Sequence, residues 1–285
     1  MKYNQNIKYI LLLILSVTIV IILTASKSVS SITKINGGGS LTGTDYLAIT
    51  IDNKEYFVQS NTWGGAKQKI ISGGESVLHV ESFTRSPKAK PWDVGSYPSV
   101  LLGSRYRGYG VTKNSGMPIQ VKDITSIRTG LSTNRMKLSN VDANTSYDVW
   151  FTNGREYNTA NPDLAVLLMI WFGSNNVNPI TSAGYTCKVN QPSYTTACPT
   201  HGSFKYKGKT FYRFAGSHSD GSIVMSYLPD NPIDEFDFDL ADFINDASAQ
   251  GIISQKMYLQ NIQAGFEIIK NGKGLTINSF YADVK

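Results

Sequence analysis

From Tyr46 to Lys285 the chain runs in short segments in which apolar and polar side chains alternate, separated by Gly, Asn or Pro. A period of two puts alternate residues on opposite faces, so each segment is a strand with one face turned to a core. Repeated over this length, the pattern specifies an all-β sandwich. Two hairpins are expected. One spans Phe204 to Phe214 and turns at Lys207-Gly208; the other joins "NIQAGFEII" to "LTINSFYADV" across "KNGKG", with Asn271-Gly272 at the turn. One segment breaks the pattern: in "DLADFINDASAQG", Leu240, Phe243, Ile244 and Ala247 recur at helical spacing. This predicts a single amphipathic helix, capped by Asp239 and ended by Gly251.

The N-terminus follows a different rule. Lys2 and Lys8 precede "ILLLILSVTIVIIL", fourteen uncharged residues from Ile10 to Leu23. A charged stretch followed by an apolar one reads as an export signal over residues 1–26, or as a single membrane anchor if it is retained. Export agrees with the composition, in which only 17% of residues are charged and Gly (25) and Tyr (16) are abundant. Residues 27–44, with the triplet Gly37-Gly38-Gly39 and little periodicity, read as a flexible linker. The folded domain is then 45–285, expected to be monomeric and to meet the membrane only through the N-terminal segment. In an exported domain Cys187 and Cys198 are candidates for a disulfide, and Asn144-Thr145-Ser146 matches a glycosylation acceptor. The net charge of +6 contains no long basic run, which argues against a nucleic-acid partner.

Strand parity assigns the faces. In "SYDVWFT", Asp148, Trp150 and Thr152 share one side, and Tyr147, Val149 and Phe151 the other. In "LAVLLMIWF", Val166, Leu168 and Ile170 form a core set, while Ala165, Leu167, Met169 and Trp171 lie opposite. Asn261, Gln263, Gly265 and Glu267 share a side against Ile262, Ala264, Phe266 and Ile268. A sheet face carrying indoles, amides and carboxylates suits a carbohydrate groove, since rings stack on pyranose faces and amides bond hydroxyls. The turn "GSHSDG" places Ser217, His218, Ser219 and Asp220 side by side, which is incompatible with a catalytic triad. His79, His201 and His218 show no metal-ligand spacing, and no cofactor is expected.

"SNTWGG", "YPSVLLGSRY", "NSGMPIQV", "SYDVWFT", "LMIWFG" and "IQAGFE...GLTINSFYADV" occur in this order. Together they resemble glycoside hydrolase family 12, the small endo-β-1,4-glucanases and xyloglucanases. The resemblance implies a β-jelly-roll of two curved antiparallel sheets with a concave cleft for β-glucan, and hydrolysis with retention by two glutamates. On the matching motifs it makes Glu267 the acid/base and Asp148 its supporting carboxylate. It makes Asn61, Trp63, Trp150, Met169 and Trp171 substrate-binding residues. The nucleophile position is occupied by Leu167. Leucine has no lone pair to attack an anomeric carbon, so double displacement should be very slow or absent. Asp148, on the same face, could instead position a water for a slow inverting reaction. Asp163, four residues upstream of Leu167, is about 13 Å away along a strand and too far. Three classes therefore stand: a hydrolase with an altered base, a β-glucan-binding surface protein, and a structural surface protein.

Overall fold

The structure, a computed structural model, describes residues 34–105, 110–156, 163–181 and 199–285. The export segment and the Cys187–Cys198 pair lie outside the described residues. In chain order the first strands are β1 (Ile35–Asn36), β2 (Gly39–Thr42), β3 (Tyr46–Ile51), β4 (Lys54–Gln59), β5 (Lys67–Gly73) and β6 (Ser76–Thr84). Next come β7 (Ser99–Gly103), β8 (Ile119–Gln120), β9 (Ile127–Thr133), β10 (Asp142–Thr152), β11 (Leu164–Asn175) and β12 (Ser203–Tyr206). The last are β13 (Lys209–Ser217), β14 (Ile223–Pro229), β15 (Glu235–Asp239), the helix α1 (Leu240–Ala249), β16 (Tyr258–Gly265), β17 (Ile268–Lys270) and β18 (Thr276–Val284).

They form two sheets, the jelly-roll sandwich expected from the motifs. The larger has the order β1-β3-β4-β7-β16-β10-β11-β14-β13-β12, with β17 also paired to β10 and β8 to β16. The smaller has the order β15-β9-β18-β6-β5-β2. Pairing is antiparallel except between β11 and β14, which run parallel with Leu167 opposite Val224. The core lies between the sheets. Tyr147, Val149 and Phe151 of β10, Val166, Leu168 and Ile170 of β11, and Ile262 and Ala264 of β16 all enter it. From the facing sheet come Leu131, Ile277, Phe280 and Ala282. The Tyr147 hydroxyl lies 3.0 Å from Thr129 Oγ1 of β9, which satisfies a buried phenol across the two layers. Parity thus assigned the inner faces of these three strands correctly.

The hairpin at Lys207-Gly208 is present, both residues having positive φ (46° and 76°) as its turn requires. Helix α1 begins where expected, with the Asp239 side chain accepting from Ala241 N, and it buries Leu240, Phe243, Ile244 and Ala247. Two expectations fail. Asn271 does adopt a left-handed turn (φ 56°), but β16 and β18 belong to different sheets and do not pair. The segment after β16 instead places β17 on β10, with Ala143 opposite Ile268, and then crosses the sandwich. A turn signal fixes local φ/ψ; it does not choose the partner, and both strands here are buried in opposite layers.

The second expectation, a linker without structure as far as residue 44, fails over its described part. From Ile35 the chain is paired: β1 lies on β3 and β2 on β5. Here the glycines serve close approach. A Cβ at Gly38 would stand 2.2 Å from the Ser72 carbonyl oxygen, so the two backbones meet only because no side chain intervenes.

Candidate functional site

The outer face of the larger sheet carries a cavity of about 940 Å³, lined along the strand series by Tyr46, Gln59, Leu101, Gln263, Asp148, Trp150 and Leu167. Loops add Asn61, Trp63, Tyr97, Arg105, His218, Asp220 and Glu267. Six of the residues singled out in the sequence therefore face one space: Asn61, Trp63, Asp148, Trp150, Leu167 and Glu267.

The floor has two halves of different chemistry. On the β4–β7–β16 side it is a network of amides: Gln59 Nε2 donates to Gln263 Oε1 (2.8 Å) and to Ser99 Oγ (3.0 Å). Gln263 Nε2 donates to Asn261 Oδ1 (3.2 Å), and Asn261 Nδ2 to the Ser104 carbonyl (2.8 Å). Each amide is held by the next, so the donors and acceptors left over point in fixed directions. On the β10–β11–β14 side the floor is apolar. Leu167, Met169 and Trp171 pack with Phe214, Val224, Leu228 and Ile269 in a second core of their own, with Trp150 against it. Met169 and Trp171 are 3% and 1% exposed and lie beneath the floor, so the expectation that they line the cleft is corrected. The cause is this second cluster, which covers the outer face of β11. Leu167 reaches the lining, at 3% exposure, and brings no charge to it.

The carboxylates stand beside that apolar half. Asp148 is 7% exposed and accepts from Ser146 Oγ at 3.0 Å. The Tyr97 hydroxyl, which donates to the Ser146 carbonyl (3.1 Å), also reaches Asp148. Burial, and then the charge of Glu267, push the Asp148 carboxyl well above the usual range; the Ser146 and Tyr97 hydroxyls pull it back only partly. Burial likewise pushes Glu267 up, to about 7, against the opposing hydrogen bond from Asn144. Asp148 thus has a like-charge neighbour in Glu267. Two carboxyl groups that share one poorly solvated site do not both ionise readily, so burial and like charge act in the same direction here.

Three features were not recognised in the sequence. Asn144, read as a glycosylation acceptor, is fully buried in β10: its Nδ2 donates to Glu267 Oε2, and its Oδ1 accepts from Glu267 N at 3.1 Å. It orients the carboxyl and is closed to modification in the folded chain. Its parity with Ser146 and Asp148 on one strand was the available signal. The "GSHSDG" segment is a turn as expected, with Gly221 N donating to the His218 carbonyl. Yet it borders the cavity. His218 lies 6.0 Å from the Trp150 ring, and its Nδ1 is 3.3 Å from Ser222 Oγ, which donates to Asp220 Oδ1 at 2.7 Å. Burial lowers the His218 pKa, with Asp220 opposing, and the Ser222 hydrogen bonds hold Asp220 below its usual range. Nothing periodic in the sequence points to this loop. Third, Arg105 lies 3.7 Å over the Tyr46 ring and holds one end of the cavity.

A sandwich with a long open cavity across one sheet, a hydrogen-bonded glutamate beside a second carboxylate, and indoles at the rim defines a polysaccharide-cleft protein. The sequence profile of glycosyl hydrolase family 12 matches residues 54–285, and the chain belongs to that family. Among curated proteins it is 24% identical over 245 residues to "Endoglucanase S" of Pectobacterium parmentieri, covering 82% of this chain and 83% of that one. It is 27% identical over 171 residues to "Probable cellulase Cel12b" of Mycobacterium tuberculosis, covering 60% of this chain and 98% of the relative. Among solved structures, "Endoglucanase cel12A from Rhodothermus marinus" superposes with a TM-score of 0.69 at 24% identity, over 87% of this chain and 99% of that one, a likeness of fold.

Proposed function

We propose that this chain is an exported protein that binds β-1,4-glucan in the cavity of its larger sheet and does not hydrolyse it through a covalent glycosyl intermediate. The observation that carries this reading is Leu167, which lines the cavity, packs into an apolar cluster, and stands where the family resemblance puts the second carboxylate. Retaining hydrolysis needs two carboxyl groups about 5–5.5 Å apart, one to protonate the leaving oxygen and one to attack the anomeric carbon. Glu267, braced by Asn144, suits the first task. Nothing at Leu167 performs the second. The amide floor and the rim residues Asn61, Trp63 and Trp150 remain to bond hydroxyls and stack on pyranose faces, and uniform binding of this kind does not require turnover. Export rests on Lys2, Lys8 and the apolar stretch that follows them.

A second reading draws on the coupling of Asp148 with Glu267. If Asp148 takes a proton from a water that attacks the anomeric carbon while Glu267 protonates the departing oxygen, a slow hydrolysis with inversion results. The two readings separate in one assay. Reducing-end release from soluble β-1,4-glucan is measured for the full chain in mild detergent, with gel retardation by the same glucan alongside. Retardation without release supports the binder, and Leu167→Glu should then gain release of at least about a hundredfold over the parent. Release by the parent that is abolished in both Asp148→Asn and Glu267→Gln supports inversion. No retardation and no release would remove both.

A further inference from the structure

His218 sits in the turn between β13 and β14, and the turn is closed twice by its backbone. His218 N donates to the Ser222 carbonyl (3.0 Å) and Gly221 N to the His218 carbonyl (3.1 Å), with Ser217 paired to Ile223. The ring borders the main cavity and a second depression of about 660 Å³ beside it. It lies 6.0 Å from the Trp150 ring, tilted by 35°, and Trp150 is the register neighbour of Leu167. His218 therefore stands beside the half of the cleft whose floor is apolar. A sugar lying there finds its hydrogen-bond partners at the rim and not beneath it.

The hydrogen bonds around this ring decide its tautomer. Asp220 is held below its usual range by its hydrogen bonds to Ser222, so its carboxylate only accepts. The single hydrogen of the Ser222 hydroxyl therefore goes to Asp220 Oδ1 at 2.7 Å, where Ser222 N also donates (2.9 Å). Ser222 is 2% exposed, and its oxygen faces His218 Nδ1, 3.3 Å away, as an acceptor. Nδ1 then carries the proton, and Nε2 of the neutral ring keeps a bare lone pair. Among the described residues none hydrogen-bonds Nε2. Burial favours the neutral ring and outweighs the charge of Asp220.

The geometry points to His218 Nε2 as the acceptor of a hydroxyl on the sugar that stacks on Trp150, so that the cleft holds glucan while this ring is neutral and releases it when the ring is protonated. The inference deepens the proposed glucan binding and rests on it. A pyranose stacked on an indole turns its equatorial hydroxyls outward around the ring edge, toward a group standing beside the indole. Protonation removes the acceptor, and a sugar closing over the ring would strip water from an imidazolium that burial already disfavours. Besides Asp220, the charged groups facing the two cavities are Asp45, Arg105, Asp148 and Glu267 in the main one and Arg85, Lys88 and Asp93 in the other. Burial pushes Asp148 and Glu267 upward, so both can titrate over the same range as His218.

The test is isothermal titration of the full chain in mild detergent with cellohexaose, at about pH 7.5 and about pH 4.5, for wild type, His218→Ala and His218→Gln. At the higher pH, His218→Ala should bind about five- to tenfold more weakly than wild type, and His218→Gln, which keeps an acceptor, should recover most of that loss. Asp148 and Glu267 are present in all three chains, so their effect on acidification is common to them. Wild type should lose a further factor of about five to ten on acidification beyond the loss in His218→Gln. The imidazole nitrogen NMR spectrum of wild type, read alongside, should show His218 Nε2 as the bare nitrogen and shift on adding cellohexaose. Wild-type binding with His218→Ala unchanged at the higher pH overturns the contact and leaves glucan binding standing. An equal acid loss in wild type and His218→Gln, or a proton found on Nε2, also overturns it. Failure of wild type to bind cellohexaose at either pH removes the glucan reading and the His218 contact with it.

Discussion

Glu267 gives the site its most direct physical signature. Its folded carboxyl is raised to about 7, above the value of an unfolded chain, so the folded state holds a proton that the unfolded state releases as pH rises past the ordinary carboxylate range. Stability is therefore greatest at low pH with respect to this group and falls as pH rises toward 7. Glu267→Gln, which keeps an acceptor for Asn144 Nδ2, should raise Tm at pH 8 and change it little at pH 4.5. Allowing for the partial exposure of the side chain, the gain is on the order of 2 kcal/mol, readable by calorimetry at the two pH values. An equal gain at both would show that the carboxyl is not shifted. Asn144→Ala removes the donor and acceptor that orient Glu267. The loss of a buried, hydrogen-bonded amide should cost about 1–3 kcal/mol in urea denaturation. If glycan binding is lost at unchanged stability instead, Asn144 acts on the sugar directly.

At the scale of elements, the position of Glu267 depends on how β16 ends. Gly265 pairs with both Ser99 of β7 and Ser146 of β10. A Cβ there would stand 2.2 Å from the Pro98 carbonyl oxygen, so β7 and β16 approach closely only through this glycine. Gly265→Ala should destabilise the fold by about 1–3 kcal/mol, as overpacking does, and disturb Glu267 two residues on. Near-wild-type Tm with intact glucan retardation would show that the strands shift apart at no cost. The helix is a smaller case of the same dependence. Asp239 caps α1 through Ala241 N and also accepts from Ile127 N and Ser126 Oγ, so one side chain ties α1 to β9.

For the molecule as a whole, the far edge of the larger sheet is fastened to α1 by one buried ion pair. Arg213 of β13 donates to both oxygens of Asp246 (2.7 and 2.6 Å), and the Tyr227 hydroxyl of β14 donates to the same carboxylate at 2.6 Å. The side chains of Arg213 and Asp246 are only 11% and 13% exposed. Asp246→Ala would leave a guanidinium and a phenol without their acceptor, at a cost of about 3–5 kcal/mol measured as the shift in urea midpoint. A shift below about 1 kcal/mol would mean that water replaces the carboxylate.

Much of this was legible in the chain because it depends on period and neighbours alone. The inner faces of β10, β11 and β16 follow from strand parity, the Lys207-Gly208 turn from its demand for positive φ, and α1 from its spacing and its cap. The motif order named the family. What parity could not supply was the other side of each face. Met169 and Trp171 point away from the main core as expected, yet Val224 and Leu228, from about sixty residues later in the chain, pack with them into a buried cluster. Asn271 makes its turn, but β16 and β18 then enter different sheets. Asn144 meets Glu267 across 123 positions. Local energies choose a residue's conformation and its face; which distant segment packs against that face is chosen by the burial of the whole sandwich, and the cleft is made where those distant segments meet.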